Sequence, residues 1–129
     1  MSLDLAAFNK AIQEAKEAAA AAARGAAAAI AEEIRDEAKR LAPEVTGALK
    51  ESIVVEVNET KAGAVAAVGI NGDTQKTDAS GITHRPAEYA ETIEFKGTPF
   101  MRPALDTVLP HAGEIAEKAA AEAFEKLDK

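Results

Sequence analysis

The sequence predicts an α+β fold, in which helices flank a small antiparallel sheet of three to four strands. Three observations support this prediction. The first 41 residues are rich in alanine and repeat apolar residues at helical steps, two later segments alternate apolar and polar residues, and the last third is again helical in pattern. A length of 129 residues is typical of a single domain. We expect that domain to comprise a long Ala-rich helix (1–41), a sheet region (42–100) with a long loop (71–86), and C-terminal helices (101–129).

Residues 3–41 predict one long helix, because alanine is the strongest helix former and Glu, Lys, Arg and Gln fill most other positions. Asp4 is expected to be either the N-cap or an acidic residue of the first turn. Pro43 ends the helix because the residue before a proline is displaced from the α region. Gly25 marks either a bend or a place where another backbone comes close. A straight helix of this length measures ~58 Å. Part of it should therefore project from the subunit or lie against a neighbour.

The helix carries one apolar stripe. Its members recur at steps of three and four, which is the spacing of a single helix face. They include Phe8, Ile12, Ala15, Ala19, Ala22, Ala26, Ile30, Ile34, Ala38 and Leu41. The alanine runs elsewhere make the helix slim, so neighbouring elements can approach it closely on several sides.

A short turn and a β-hairpin follow the helix. Thr46 is expected to cap a helical turn that begins at Gly47, a position where a positive φ would require glycine. The segments Ile53–Glu59 and Ala64–Ile70 alternate apolar and small or polar residues, which predicts two strands. Thr60–Gly63 is the turn between them, so the two strands are expected to pair as a hairpin.

The next part of the chain predicts a loop and a third strand. Asn71–Pro86 is a polar connection, and loops of this length are usually functional or disordered. Glu88–Lys96 resumes the strand pattern, with Tyr89, Ile93 and Phe95 on one face. This strand would add to the hairpin.

Prolines are expected to mark the boundaries of the elements in the C-terminal third. Gly97, Thr98 and Pro99 break the preceding element, and Pro103 suits the first turn of a helix. Pro110 is expected to end or kink that helix at Leu109. A last helix is predicted from about residue 111 to residue 127, because its apolar residues again share one face.

Composition excludes several classes of function. The net charge is −7, from 15 basic and 22 acidic side chains, and no segment is basic. We therefore expect no surface that follows nucleic-acid phosphates. The absence of cysteine excludes disulfides and thiolate-bound metals. No apolar run approaches the ~20 residues of a membrane span, and the N-terminal residues lack the basic region of a signal peptide.

Candidate catalytic and metal-binding residues form no convincing set. His84 lies near Asp73 and Asp78 in the polar loop, but the spacing matches no ligand motif, which favours a solvated histidine. His111 follows Pro110 at a helix start and is most simply a surface residue. No serine stands in a G-x-S-x-G context. We expect neither an enzyme nor a cofactor or metal.

The core is expected to be thin. Of about 61 apolar residues, 32 are alanine, which leaves about 29 larger ones. Burial of a Leu-sized side chain contributes roughly 1.5–3 kcal/mol, and burial of an alanine much less. Much of the burial should therefore come from neighbouring copies or partners. The alternative is a small monomer of modest stability.

Four side chains are candidates for such contacts. Val54 lies on the otherwise polar face of its strand, which suits a subunit contact unless a helix covers that face. Phe100 and Met101 follow the 97–99 turn and project either into the core or into a neighbouring subunit. Arg102, beside them, is either an interface arginine or a solvated one.

Two patches, covering about a third of the chain, carry a family pattern. The first spans residues 38–57 and contains Ala42, Pro43, Thr46, Gly47, Leu49, Lys50, Ser52 and Ile53. The second contains Tyr89, Ala90, Ile93, Glu94, Phe95, Gly97, Thr98 and the run from Pro99 to Leu105. Together they resemble the neck or tail-completion family of long-tailed bacteriophages, often called the gene-product-ten-like family.

The resemblance implies a structural protein of the virion, made in the cytoplasm of the bacterial host. Such proteins form a ring, commonly six-fold, at the head–tail junction. The ring joins the head connector to the tail tube and leaves a channel through which DNA passes without sequence-specific binding. A tail-terminator ring capping the tube and a non-viral helical interaction module remain alternatives.

The expected site is a set of contact residues and structural turns, with no catalytic residue. Contacts with other subunits or partners are expected at Val54, Tyr89, Glu94, Phe100, Met101 and Arg102. Structural turns are expected at Pro43, Thr46, Gly47, Gly97, Pro99 and Pro103.

Overall fold

The computed structural model describes residues 4–43, 47–60 and 63–125, without the side chain of residue 124. The predicted α+β class is confirmed. The helices are α1 (Leu5–Leu41), α2 (Ala48–Ser52), α3 (Pro86–Lys96), α4 (Met101–Val108) and α5 (Ala112–Glu125), with a 3-10 turn at Leu109–His111 before α5. The strands are β1 (Ile53–Thr60), β2 (Gly63–Ile70), β3 (Lys76–Thr77) and β4 (Thr83–His84).

Helix α1 ends at the predicted residue, Leu41, and in the described part of the chain it begins at Leu5. The Asp4 carboxylate accepts hydrogen bonds from the backbone N–H groups of Ala6 and Ala7, both at 3.1 Å, and so caps the first turn. Ala42 has extended backbone angles, φ −64° and ψ 134°, because Pro43 follows it. The helix runs through Gly25 without interruption. The predicted start at residue 3 lies outside the described residues.

Two opposite faces of α1 are covered by different elements. The hairpin β1–β2 lies against one face, where Ala27 and Ile30 approach Ala66 and Val68. Helix α5 lies along the other. Ala18, Ala21, Gly25 and Ala28 of α1 line that seam with Ala119 and Ala123 of α5. The slim alanine surface therefore serves two neighbours, as its composition suggested.

The hairpin forms as predicted. Strands β1 and β2 are antiparallel, with a register from Ile53 opposite Ile70 to Thr60 opposite Gly63. Its inner face packs on α1, and an ion pair of 2.8 Å joins Arg24 of α1 to Glu59 near the hairpin end. The outer face is left open, so the sheet is covered on one side only.

The predicted third strand over Glu88–Lys96 is wrong, because this segment is helix α3. Pro86 occupies the first turn, where its missing N–H costs nothing. Pro86 and Ala90 are buried, and Tyr89 and Ile93 are half-buried, at the steps of three and four that define a helix face. Strict alternation would also have placed Glu91 on the apolar face. The sheet of three to four strands is therefore two separate two-stranded sheets, β1–β2 and β3–β4.

The core lies around the C-terminal third of α1. Phe100 and Ile53 are the largest completely buried apolar side chains, and Ala38, Ala42, Leu49, Ala90 and Ala104 complete the cluster. Eight of the twelve buried apolar residues in the described part of the chain are alanines. The core is accordingly thin, and the N-terminal third of α1 lies outside it, with residues 4–17 exposed.

Candidate subunit interface

An open apolar groove of about 530 Å³ lies beside the core. It is bounded by α1, β2, the C-terminal end of α3 and the start of α4. We call it the α4 groove; its lining is Ala27, Ile30, Ala31, Ile34, Ala66, Val68, Glu94, Phe95, Met101, Arg102 and Leu105. Three of the predicted contact residues therefore share one surface: Glu94 from α3, and Met101 and Arg102 from α4.

Glu94 positions the start of α4. Its carboxylate accepts hydrogen bonds from the backbone N–H groups of Phe100 (3.2 Å), Met101 (2.6 Å) and Arg102 (3.5 Å). The first N–H groups of a helix have no intrahelical partner, and negative charge near them is favourable. Phe100, at the N-cap, makes no side-chain capping bond, so Glu94 caps α4 from the preceding helix. Its role is to fix one edge of the groove.

The three residues at the start of α4 have different surroundings. Phe100 is 1% exposed and lies in the core, which is the intramolecular alternative raised by the sequence. Met101 is half-buried and lines the groove. Arg102 is exposed, and its Nε lies 3.6 Å from Oδ1 of Asp106, a solvated pair that contributes little to stability. Only Met101 and Arg102 are thus accessible to another molecule.

Phe95 is the groove residue that sequence reasoning missed. The predicted strand placed its ring on the same face as Ile93, inside the subunit. As a helical residue it points away from that face and is 77% exposed, at the rim of the groove. The helical stripe formed by Pro86, Tyr89, Ala90 and Ile93 would have revealed this exposure, because Phe95 does not belong to it.

Tyr89 and Val54 lie away from the groove. Tyr89 is half-buried against the core, and its burial raises the pKa of the phenol. Val54 lies on the open outer face of the hairpin, as does Val65 of the other strand, and both are exposed. Val54 is 38% exposed, so within the part of the chain that the structure describes it is accessible for contact.

The predicted turn residues occupy the joints between elements. Gly47 has φ +83° at the start of α2, a conformation that favours glycine. A Cβ on Gly97 would lie 3.2 Å from the carbonyl oxygen of Ile93, so α3 ends there tightly. Pro103 lies in the first turn of α4, and Pro99 is exposed just before it. Thr46 lies outside the described residues.

A second apolar surface lies on the projecting end of α1. Leu5, Phe8 and Ile12 are 62%, 53% and 40% exposed and lie on one side of the helix. We call them the N-terminal stripe. They continue the face that the hairpin covers further along, where Lys16 to Ala23 of α1 line a groove with Glu59, Thr60 and Gly63 of the hairpin end. The stripe has the large apolar side chains of a helix face that is normally buried, but in this structure these side chains are exposed.

Asp78 organises the connection between β2 and α3. Its carboxylate accepts hydrogen bonds from Ser80 Oγ (2.6 Å), Ser80 N (2.9 Å) and Ile82 N (3.1 Å), and lies 2.8 Å from His84 Nε2. These contacts, His84 first, hold the pKa of Asp78 well below its usual value. Nζ of Lys76 lies 3.0 Å from the Glu51 carboxylate and ties the segment to α2. The predicted loop over residues 71–86 therefore contains an ordered hairpin, formed by β3 and β4.

Metal and membrane sites are not indicated in what the structure describes. Among residues 4–43, 47–60 and 63–125, no three His, Asp or Glu side chains are grouped to hold a metal ion. His84 is paired with Asp78 alone. Within the same ranges, none of the helices combines the length and the apolarity that a bilayer crossing requires.

Comparison with known proteins gives one family. The sequence model of the HK97-gp10-like family, described as "Bacteriophage HK97-gp10, putative tail-component", matches residues 6–95. The match covers α1, the hairpin, the Asp78 segment and nearly all of α3. Neither the curated proteins nor the solved structures gave a match.

Proposed function

The chain belongs to the HK97-gp10-like family of bacteriophage tail components, and from this premise we propose that it forms a ring at the head–tail junction. The ring, of about six copies in keeping with the family resemblance, joins the head connector to the tail tube. A structural role in the virion follows from the family, because a tail component is part of the virus particle. The ring and its position at the junction go beyond what the family alone implies.

One structural observation carries the proposal. The subunit has a thin, alanine-rich core but exposes two sizeable apolar surfaces, the α4 groove and the N-terminal stripe. Exposed apolar side chains grouped on one helix face, and a concave apolar groove, are features of interaction sites. A subunit of this kind gains burial by assembling with copies and neighbours. Its surfaces lie on different parts of the molecule, as a ring requires of its two flanks.

The charge of the chain suits a channel for DNA. At −7 the subunit repels phosphates, so acidic groups along a lumen would let DNA slide without adhering. The partners in this arrangement are further copies, the head connector, and the tube or its terminator. A neutral or basic lumen in the assembled ring would contradict this part of the proposal.

The second candidate is a tail terminator, a ring that caps the tube. The same surfaces would serve it, because both rings are built from repeated copies. A non-viral helical module, the alternative of a different class, would instead form a stable dimer through residues 3–41. Family membership disfavours this third possibility.

Removal of the gene from the virus that encodes it separates the candidates. A junction protein is required for joining, so we expect full heads and finished tails of normal length that remain separate. Supply of the protein in trans should restore joined particles. Electron microscopy of the lysate provides the measurement.

Two outcomes would contradict the junction role. Tails of uncontrolled length would favour the terminator, since nothing would then cap the tube. Joined, infectious particles without the protein would exclude both rings. A chain truncated to residues 14–129 should fail to complement, because it lacks the exposed start of α1 but keeps the part of the helix that packs against the hairpin and α5.

A further inference from the structure

We propose that the N-terminal stripe of one copy docks in the α4 groove of the next copy. This inference rests on the proposed ring and names the surfaces through which its subunits contact each other. The stripe is formed by Leu5, Phe8 and Ile12, and the groove is the apolar channel between α1, β2 and α4. Each copy would donate one stripe and receive another.

The stripe cannot fill the groove of its own chain. Phe8 and Ile30 belong to the same uninterrupted helix and are 22 residues apart, which at 1.5 Å per residue is about 33 Å. Helix α1 has no break at Gly25 that would fold the stripe back. The two surfaces can therefore meet only between copies.

The two surfaces match in length and character. The α1 wall of the groove runs from Ala27 to Ile34, and the stripe runs from Leu5 to Ile12. Each contains eight residues, and the seven steps between its ends cover about 10 Å of helix. Small alanine side chains on the wall leave room for the larger stripe residues. Phe95 at the rim offers its exposed ring to an incoming Phe8.

The size of the contact favours a closed assembly over an isolated pair. An aromatic side chain buries roughly 150–250 Å², and a stable interface needs about 1,200 Å² in total. Three stripe residues in one groove fall short of that area. In a closed ring every copy makes two such contacts, one as donor and one as acceptor, and leaves only if both break, so closure adds stability without enlarging either contact.

Engineered disulfides test the contact in particles. The native chain has no cysteine, so Phe8→Cys and Phe95→Cys introduce the only thiols. Virus particles would be assembled from a mixture of the two single variants and oxidised, and the chain analysed on a non-reducing gel. A disulfide requires Cα atoms within about 7 Å. We expect a cross-linked dimer from the mixture, and from the double variant a ladder that reduction removes.

The matched control replaces an equally accessible apolar residue elsewhere. Val65→Cys lies on the outer face of the hairpin and should give no product with Phe8→Cys. Absence of the Phe8–Phe95 product in particles that contain both variants would overturn the inference and leave the proposed ring intact. Absence of the unmodified protein from particles would instead overturn the proposed function.

If the cysteine variants fail to enter particles, a charged substitution in the N-terminal stripe tests the docking instead. Phe8→Asp should reduce the copies per particle at least ten-fold while the melting temperature of the free subunit stays unchanged. Leu109→Asp, also at an exposed apolar residue, should be incorporated normally. Normal incorporation of Phe8→Asp would overturn the docking.

Discussion

Neighbouring side chains at the α3–α4 joint differ sharply in their exposure. Phe100 is enclosed by the core, Glu94 caps the helix that follows, and Phe95 stands in solvent beside them. Residues so close in sequence differ because the chain turns sharply after α3. The region that carries much of the family pattern therefore contains both buried and exposed large side chains, and substitutions can separate their effects on folding from the proposed contacts.

Phe100→Ala should destabilise the subunit strongly. The sequence left open whether this ring fills the core or a neighbour, and its burial predicts a folding defect. Removal of a buried phenylalanine costs about 3–5 kcal/mol, a large share of the roughly 5–15 kcal/mol of a typical domain. Urea unfolding gives the measurement. Phe95→Ala is the matched control, with an expected change below about 0.5 kcal/mol. Similar losses in both variants would contradict the assignment.

Gly47→Val should also destabilise the subunit. At φ +83° an L-residue is strained by about 1–2 kcal/mol, and a β-branched side chain suffers more. Steric space is not the cause, since the nearest atom to a Cβ there is Lys76 Nζ at 3.5 Å. Gly72→Val, at a glycine without positive φ, is the control for thermal unfolding. A neutral Gly47→Val would refute the strain argument.

Single elements show why sequence patterns succeed or fail. Helix α1 and the hairpin are long and strongly periodic, so the pattern alone predicts them. Helix α3 has eleven residues, and its Tyr89, Ile93 and Phe95 satisfy part of a strand pattern as well as part of a helical one. The buried Pro86 and Ala90 decide in favour of helix, but small and proline residues give a weak apolar signal. Misassignment of α3 also concealed the exposure of Phe95.

The β3–β4 hairpin should loosen in acid. The pKa of Asp78 is lowered in the folded state, so its stabilising contribution is complete above the ordinary value of about 4 and is lost as pH falls through the folded value. Amide exchange at Ser80 and Ile82, measured between pH 6 and pH 2, should accelerate at the acid end beyond the intrinsic trend. Asp78→Asn should show faster exchange already at pH 6, whereas Asp73→Asn should not.

Gly25→Ala should stabilise the free subunit. Gly25 lies inside an uninterrupted helix, where glycine costs about 1 kcal/mol relative to alanine, and an added Cβ would meet nothing within 4 Å. The melting temperature should rise by a few degrees. Gly63→Ala, at φ +141°, should lower it instead. If another backbone occupies this seam in the assembly, Gly25→Ala will reduce incorporation into particles; unchanged stability would contradict the open geometry.

The whole molecule leaves part of its apolar surface uncovered. Its core is small, its longest helix extends beyond that core, and the uncovered part of the helix carries large apolar residues. Composition anticipated the thin core and the projecting helix, since alanine content and helix length can be read directly from the chain. The groove could not be anticipated. It combines residues near positions 30, 67 and 100, which only the tertiary packing of four elements brings together.

The assembly can be seen in a reconstruction of the virus particle at a resolution that traces this chain. We expect copies arranged as a ring between head and tail, with the α4 groove occupied by residues 5–12 of a neighbour. Copies that leave both the groove and the N-terminal stripe in solvent, or particles without the chain at the junction, would contradict it.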